Sequence, residues 1–185
     1  MPETNFFWDP LSDNILEERD ETGDVTTEYT TEPGLYGNLI SQNRDGVESQ
    51  YHFDALGSTL ALTDDDQQVT DTYAYTAFGE VTAHTGSTLS PFHYVGQRGY
   101  YQDESMSDCA VRRRPLSTRV TRWLTLDQRS YADSVNLYLY THNRPTSLID
   151  PSGDITLGYD SVRLPNDYCG AFRWDVAWKL TDCKE

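Results

Sequence analysis

A chain of 185 residues, 37% hydrophobic and 12% aromatic, is long enough for one domain or one domain and a fragment, and too aromatic for plain disorder. Its formal net charge of −16 sits entirely in residues 1–90, where 18 acids face only Arg19 and Arg44, while residues 91–185 carry 12 acids and 12 bases. An N-terminal half this acidic repels nucleic acid and anionic lipid, and no run of about 18 apolar residues exists to insert in a membrane.

The N-terminus, Met1-Pro2-Glu3-Thr4, has neither the basic residues nor the apolar stretch of a signal peptide. The first half then repeats itself. Val25, Val47 and Val69 are 22 residues apart, as are Tyr29, Tyr51 and Tyr73. Each Val–Tyr segment follows a polar turn: Asp20-Glu21-Thr22-Gly23, Arg44-Asp45-Gly46, or Asp64-Asp65-Asp66-Gln67-Gln68. A second register agrees, with Phe53-Asp54-Ala55-Leu56-Gly57 matching Tyr75-Thr76-Ala77-Phe78-Gly79. This period with a turn inside it predicts one β-hairpin per repeat. The enrichment in Thr, Tyr and Val supports strands, and a spacing of four puts Val and Tyr on one strand face. Single hairpins are marginal, so they are expected to stack side by side into one antiparallel sheet.

Beyond residue 100 the chain is less regular, and one or two short helices are expected between 103 and 150. Arg112-Arg113-Arg114, with Arg119 and Arg122, is a basic cluster expected to dock on the acidic N-terminal half. Phe172, Trp174, Val176, Trp178 and Leu180 alternate with polar residues, as in an amphipathic strand. Cys109, Cys169 and Cys183 form no zinc-type spacing; a Cys169–Cys183 pair and free thiols both stay open. The four histidines share no metal spacing, and Asp64-Asp65-Asp66 reads as a solvated turn rather than a calcium loop. No nucleotide, zinc-protease or serine-hydrolase motif occurs, and no cofactor is expected.

The segment from Tyr51 to Gly153 resembles the RHS repeat-associated core domain. The residues that carry the likeness come in order. They are Tyr51-His52-Phe53-Asp54-Ala55-Leu56-Gly57-Ser58-Thr59, Leu62-Thr63-Asp64, Tyr73-Ala74-Tyr75 with Phe78-Gly79-Glu80, and Tyr94-Val95-Gly96-Gln97-Arg98-Gly99-Tyr100-Tyr101. Asn136-Leu137-Tyr138-Leu139-Tyr140, Asn143-Arg144-Pro145 and Asp150-Pro151-Ser152-Gly153 complete the series. The upstream repeats resemble YD repeats of the same proteins. The resemblance implies a hairpin sheet spiralling into a hollow shell around a variable C-terminal segment, often a toxin. In several members the core is an aspartyl autoprotease that cuts just after the DPxG motif.

Carried over to this sequence, the resemblance makes Asp127 and Asp150 the candidate catalytic carboxylates, with Arg122 supporting. The cut is expected at Gly153–Asp154. Two carboxyl groups can do this chemistry when they sit together, one protonated and one activating water. Three departures stand out. Ser117 occupies the place of an acid in the stretch Arg112–Thr118, and Asp127 is followed by Gln128 instead of proline. Asp154 stands where the family has a large apolar residue, and an acid beside the bond is expected to perturb a carboxylate pair.

The fold expected is therefore mainly β, from stacked antiparallel hairpins. The organisation expected is YD-type repeats over 1–50, the core domain over 51–153 and a short variable tail over 154–185. The expected function is the core module of an RHS-type secreted or cell-surface protein that encapsulates or presents a C-terminal segment, with self-cleavage at Gly153. The partners expected are the rest of a longer shell, its cargo, or a second copy covering the open sheet. Alternatives are a non-enzymatic adhesive β-module binding carbohydrate or protein through Tyr and Trp faces, and a degenerate inactive copy.

Overall fold

The computed structural model describes residues 4–102, 108–128, 135–154 and 156–158. The expected tail strand at 172–180, Cys169 and Cys183 lie outside the described residues. Eight strands, β1 (Asn5–Trp8), β2 (Ile15–Arg19), β3 (Val25–Thr31), β4 (Leu39–Arg44), β5 (Val47–Phe53), β6 (Thr59–Thr63), β7 (Val69–Tyr75) and β8 (Val81–Thr85), form one sheet in chain order. Every neighbour pair is antiparallel, so the sheet is a meander of hairpins, and it runs without a break through residue 50.

The 22-residue repeat is visible in what the strands bury. β3, β5 and β7 each bury their third and fifth residues: Thr27 and Tyr29, Ser49 and Tyr51, Asp71 and Tyr73. Val25, Val47 and Val69 open these strands with the same parity but lie exposed at the sheet rim.

Four hairpins use one turn. In each, the first residue's N–H donates to the carbonyl of the fifth, and the fourth residue's N–H donates back to the first: Asp20/Asp24, Asp54/Ser58, Asp64/Gln68 and Thr76/Glu80. The first residue's side-chain oxygen also accepts from the fifth N–H, at 3.0, 2.8, 2.9 and 3.1 Å in that order. Asp and Thr suit this position because a short side-chain oxygen reaches its own turn. The fourth residue must take positive φ. Gly23, Gly57 and Gly79 do so near +90°, while Gln67 does so at +61°. A register shift follows each turn, adding twist at the sheet margin. The Asp45-Gly46 turn is tighter, with both residues at positive φ, the geometry that a two-residue hairpin favours.

After β8 the chain turns back and straps the face that carries the repeat tyrosines. Thr88 N–H donates to Asp71 Oδ1 at 3.0 Å, Gln42 Nε2 donates to the Leu89 carbonyl at 2.9 Å, and Ser90 Oγ meets the Tyr51 hydroxyl at 2.9 Å. Phe92 then sits edge-on to Tyr29 at 5.0 Å. Strap and sheet enclose a first core around Tyr29, Leu39, Tyr51, Leu62, Tyr73 and Phe92. Each such buried ring or aliphatic chain stabilises by about 1.5–3 kcal/mol relative to exposure.

A second core follows. β9 (Tyr101–Gln102), β10 (Asp108–Val111), β11 (Arg114–Ser117) and β12 (Arg122–Trp123) make a four-stranded sheet in the order β12-β11-β10-β9, and β13 (Leu148–Ile149) pairs with β14 (Leu157–Gly158). Tyr94, Tyr100, Trp123, Tyr140 and Ile149 are fully buried here. Leu56 and Phe78, from two of the repeat turns, pack against the same cluster and tie the large sheet to it. The helical content among the described residues is two 3-10 turns, Gly96–Arg98 and Thr141–Asn143. The first of them precedes the region where helix was expected.

Candidate functional site

The site grows from a two-residue hairpin turn. β10 and β11 pair Val111 with Arg114, leaving Arg112 and Arg113 in the turn. Arg112 adopts φ +42°, a conformation that ordinary side chains avoid. All three consecutive arginines reach the loop that follows β13, at three different points.

Arg112 reaches the backbone. Its Nη1 donates to the carbonyls of Pro151 at 2.7 Å and Arg98 at 2.9 Å, and its Nε donates to that of Asp13 at 3.0 Å. The guanidinium lies 4.3 Å from the Tyr36 ring centroid. Burial pushes its pKa down to about 10, so it still carries its charge at neutral pH. Arg113 Nη1 pairs with Asp154 Oδ2, and this hydrogen bond holds the guanidinium above its ordinary pKa. Arg114 is buried, stacked 4.3 Å over the Trp123 ring. Its Nη1 is 2.9 Å from Asp127 Oδ2, its Nη2 is 3.3 Å from Asp150 Oδ2, and its Nε donates to the Gly153 carbonyl.

One guanidinium therefore holds both sequence-predicted carboxylates and the carbonyl of the predicted bond. Asp150 is also the first residue of a tight turn, since Gly153 N–H donates to its carbonyl at 3.2 Å. Its Oδ1 accepts from Ser152 Oγ at 3.0 Å and from the Asp154 N–H at 3.1 Å. Its own N–H donates to the Tyr100 hydroxyl at 2.9 Å, which meets the Tyr140 hydroxyl at 3.1 Å. Burial, followed by the charge of Asp150, pushes the Tyr100 phenol well above its ordinary pKa, so that hydroxyl stays neutral.

Gly153 is required by geometry. Its φ is +75°, and a Cβ there would lie 2.7 Å from the Val111 carbonyl oxygen and 3.2 Å from the Arg114 nitrogen. The absence of a side chain lets the bond after Gly153 press against the arginine turn.

Arg122 lies exposed on β12, with Nε donating to the Val120 carbonyl at 3.3 Å. The arginine at the carboxylates is Arg114, a member of the basic cluster expected to dock on the acidic half. That cluster is satisfied mostly within the second half of the chain. Arg113 and Arg114 pair with Asp154, Asp127 and Asp150, while Arg112 reaches the N-terminal hairpins through Asp13, Asn14 and Tyr36. Burial explains the difference: three buried carboxylates need cations beside them more than solvated turn acids do. The run Asp64-Asp65-Asp66 lies at the β6–β7 turn, and among the described residues no group of three metal-ligating side chains assembles. The repeat tyrosines Tyr29, Tyr51 and Tyr73 are core residues and do not form an open aromatic face.

No family model matches the chain. Over 154 residues, 81% of the chain, it is 31% identical to the tRNA3(Ser)-specific nuclease WapA of Bacillus spizizenii and to the tRNA nuclease WapA of Bacillus subtilis. It spans only 6% of the length of either. Among solved structures, it superposes on the TcdB2-TccC3-Cdc42 crystal structure with a TM-score of 0.63 at 16% identity, over 82% of this chain and 8% of that one. The TcdB2-TccC3 crystal structure gives 0.62 at 17% identity, over 81% of this chain and 8% of that one. With the ordered motifs between Tyr51 and Gly153, these likenesses support an RHS-like fold.

Proposed function

We propose that this RHS-type module cleaves its own chain between Gly153 and Asp154 and thereby frees the segment that follows. The observation that carries this reading is the single Arg114 guanidinium shared by Asp127, Asp150 and the Gly153 carbonyl. Arg114 Nε sits where negative charge develops when the carbonyl is attacked, in a site largely closed to water. Asp127 takes a proton from the attacking water, whose oxygen bonds to the Gly153 carbonyl carbon. Asp150 enters the step as the protonated member of the pair and, with Oδ1 already against the Asp154 nitrogen, gives its proton to that nitrogen as the C–N bond breaks. The proton that Asp127 took from the water then passes to Asp150, and the new Gly153 carboxyl gives its own proton to the freed amine. The products are a carboxylate at Gly153 and an α-ammonium at Asp154.

In this reading residues 51–153 are the core, 1–50 are hairpin repeats leading into it, and 154–185 are the beginning of the carried segment. The chain would be one stretch of a longer secreted or cell-surface shell whose cargo lies beyond Asp154. The test is to incubate the purified chain at several dilutions and sequence the N-termini over time. A new N-terminus at Asp154, appearing at a rate independent of protein concentration, is the result expected of a bond cut by its own chain. An uncut chain, or a rate that grows with concentration, contradicts it.

A further inference from the structure

We infer that Arg113 determines which residue this site accepts on the leaving side of the bond, by pairing with an acidic side chain at position 154. The inference rests on the self-cleavage reading and names its specificity. Asp154 follows the bond directly, and its side chain is only 2% exposed. It shares a small volume with two more buried carboxylates, Asp127 and Asp150, and its backbone nitrogen touches the second of them. Arg114 is committed to those two acids and to the Gly153 carbonyl. A third buried negative charge would oppose ionisation of its neighbours unless a second cation came with it.

Arg113 supplies that cation. Its side chain is 51% exposed, so the residue is not part of the packed core, yet its Nη1 reaches over to Asp154 Oδ2. The turn makes this division of labour possible. Arg112 at positive φ sends its own side chain to Pro151 and Asp13, while the next two residues serve position 154 and the carboxylate pair. An acid beside the bond is thus matched by a dedicated partner, and Arg113 should matter only while position 154 is acidic.

The test compares cleavage rates for four chains: the parent, Arg113→Met, Asp154→Leu, and the two changes combined. Arg113 is half in solvent, so Arg113→Met keeps the fold, which a thermal melt verifies. We expect Arg113→Met to slow the cut by about tenfold or more when Asp154 is present, the scale of losing a charge-assisted hydrogen bond. In the Asp154→Leu background the same change should leave the rate unaltered. The charge-swapped pair Arg113→Glu with Asp154→Arg should be faster than either single change. If Arg113→Met slows both backgrounds equally, or neither, the specificity role is overturned while self-cleavage stands. If no chain is cut, the self-cleavage reading falls, and this inference falls with it.

Discussion

Arg114 and Asp150 lie 36 residues apart in sequence, yet Nη2 of one stands 3.3 Å from Oδ2 of the other, both side chains out of solvent. The same guanidinium holds Asp127 at 2.9 Å. Removing the arginine would leave two buried carboxylates without their cation. Arg114→Met should therefore lower stability by about 3–5 kcal/mol in urea unfolding, besides stopping the cut. Arg114→Lys should not restore cleavage, because an ammonium cannot serve three acceptors in one plane. Full activity in the lysine variant would count against a role for the planar fork.

Gly153 offers a sharper probe of geometry. Gly153→Ala retains every polar group but places a methyl against the Val111 carbonyl at a φ of +75°. The expected loss is at least about 1 kcal/mol, the scale of a left-handed alanine, and the Gly153 carbonyl should leave Arg114. Cleavage at the parent rate would show that the close approach is not needed.

The shared hairpin turn predicts a gain as well. Gln67 occupies the position where Gly23, Gly57 and Gly79 stand in the sister turns. Gln67→Gly should raise stability by up to about 1 kcal/mol by relieving the left-handed strain. Gly79→Ala should do the reverse, because a Cβ there would fall within 2.2 Å of the Tyr94 ring. Denaturant midpoints of the two variants moving in the same direction would refute the common-turn account.

Two groups under the strap set a pH dependence. Burial pushes the His93 imidazole below its ordinary value of 6.5, outweighing the bond to Gln102. The unfolded chain then binds the proton more readily, so this contribution is complete above pH 6.5 and is lost as pH falls through the lower folded value. At Asp71, burial raises the carboxyl pKa, but bonds from Thr88, Thr70 and His84 outweigh it and leave the group below its ordinary 3.8. Its contribution is complete above pH 3.8 and is lost as pH falls further. Unfolding free energy followed from pH 7 downward should decline in two stages. His93→Gln should flatten the first and Asp71→Asn the second.

The large sheet was legible because its information is local. A 22-residue period, polar turns and β-rich strands all pointed to the same meander. Which face the repeat buries was not legible, since Tyr29, Tyr51 and Tyr73 are buried while Val25, Val47 and Val69 of the same parity are exposed. The strap from Gly86 to Phe92 was not legible, since it has neither period nor apolar alternation and is held by single bonds to Asp71, Gln42 and Tyr51. Asp127 and Asp150 were singled out as candidates only through the family likeness. Nothing in their spacing says that the chain returns one to the other. Arg114 was missed for a related reason. Three adjacent arginines look like one surface patch, and only the β10–β11 turn reveals that they serve different partners. Arg122 resembled the supporting cation because it sits near Asp127 in sequence, whereas Arg114 reaches both acids through the tertiary fold.

The central claim is tested most directly by the intact mass of the purified chain beside its Asp127→Asn and Asp150→Asn variants. The account predicts that the parent separates into two pieces, one ending at Gly153 and one beginning at Asp154, while both variants keep the full mass. A parent that keeps its full mass of 21.1 kDa, or variants cut as fast as the parent, would contradict it.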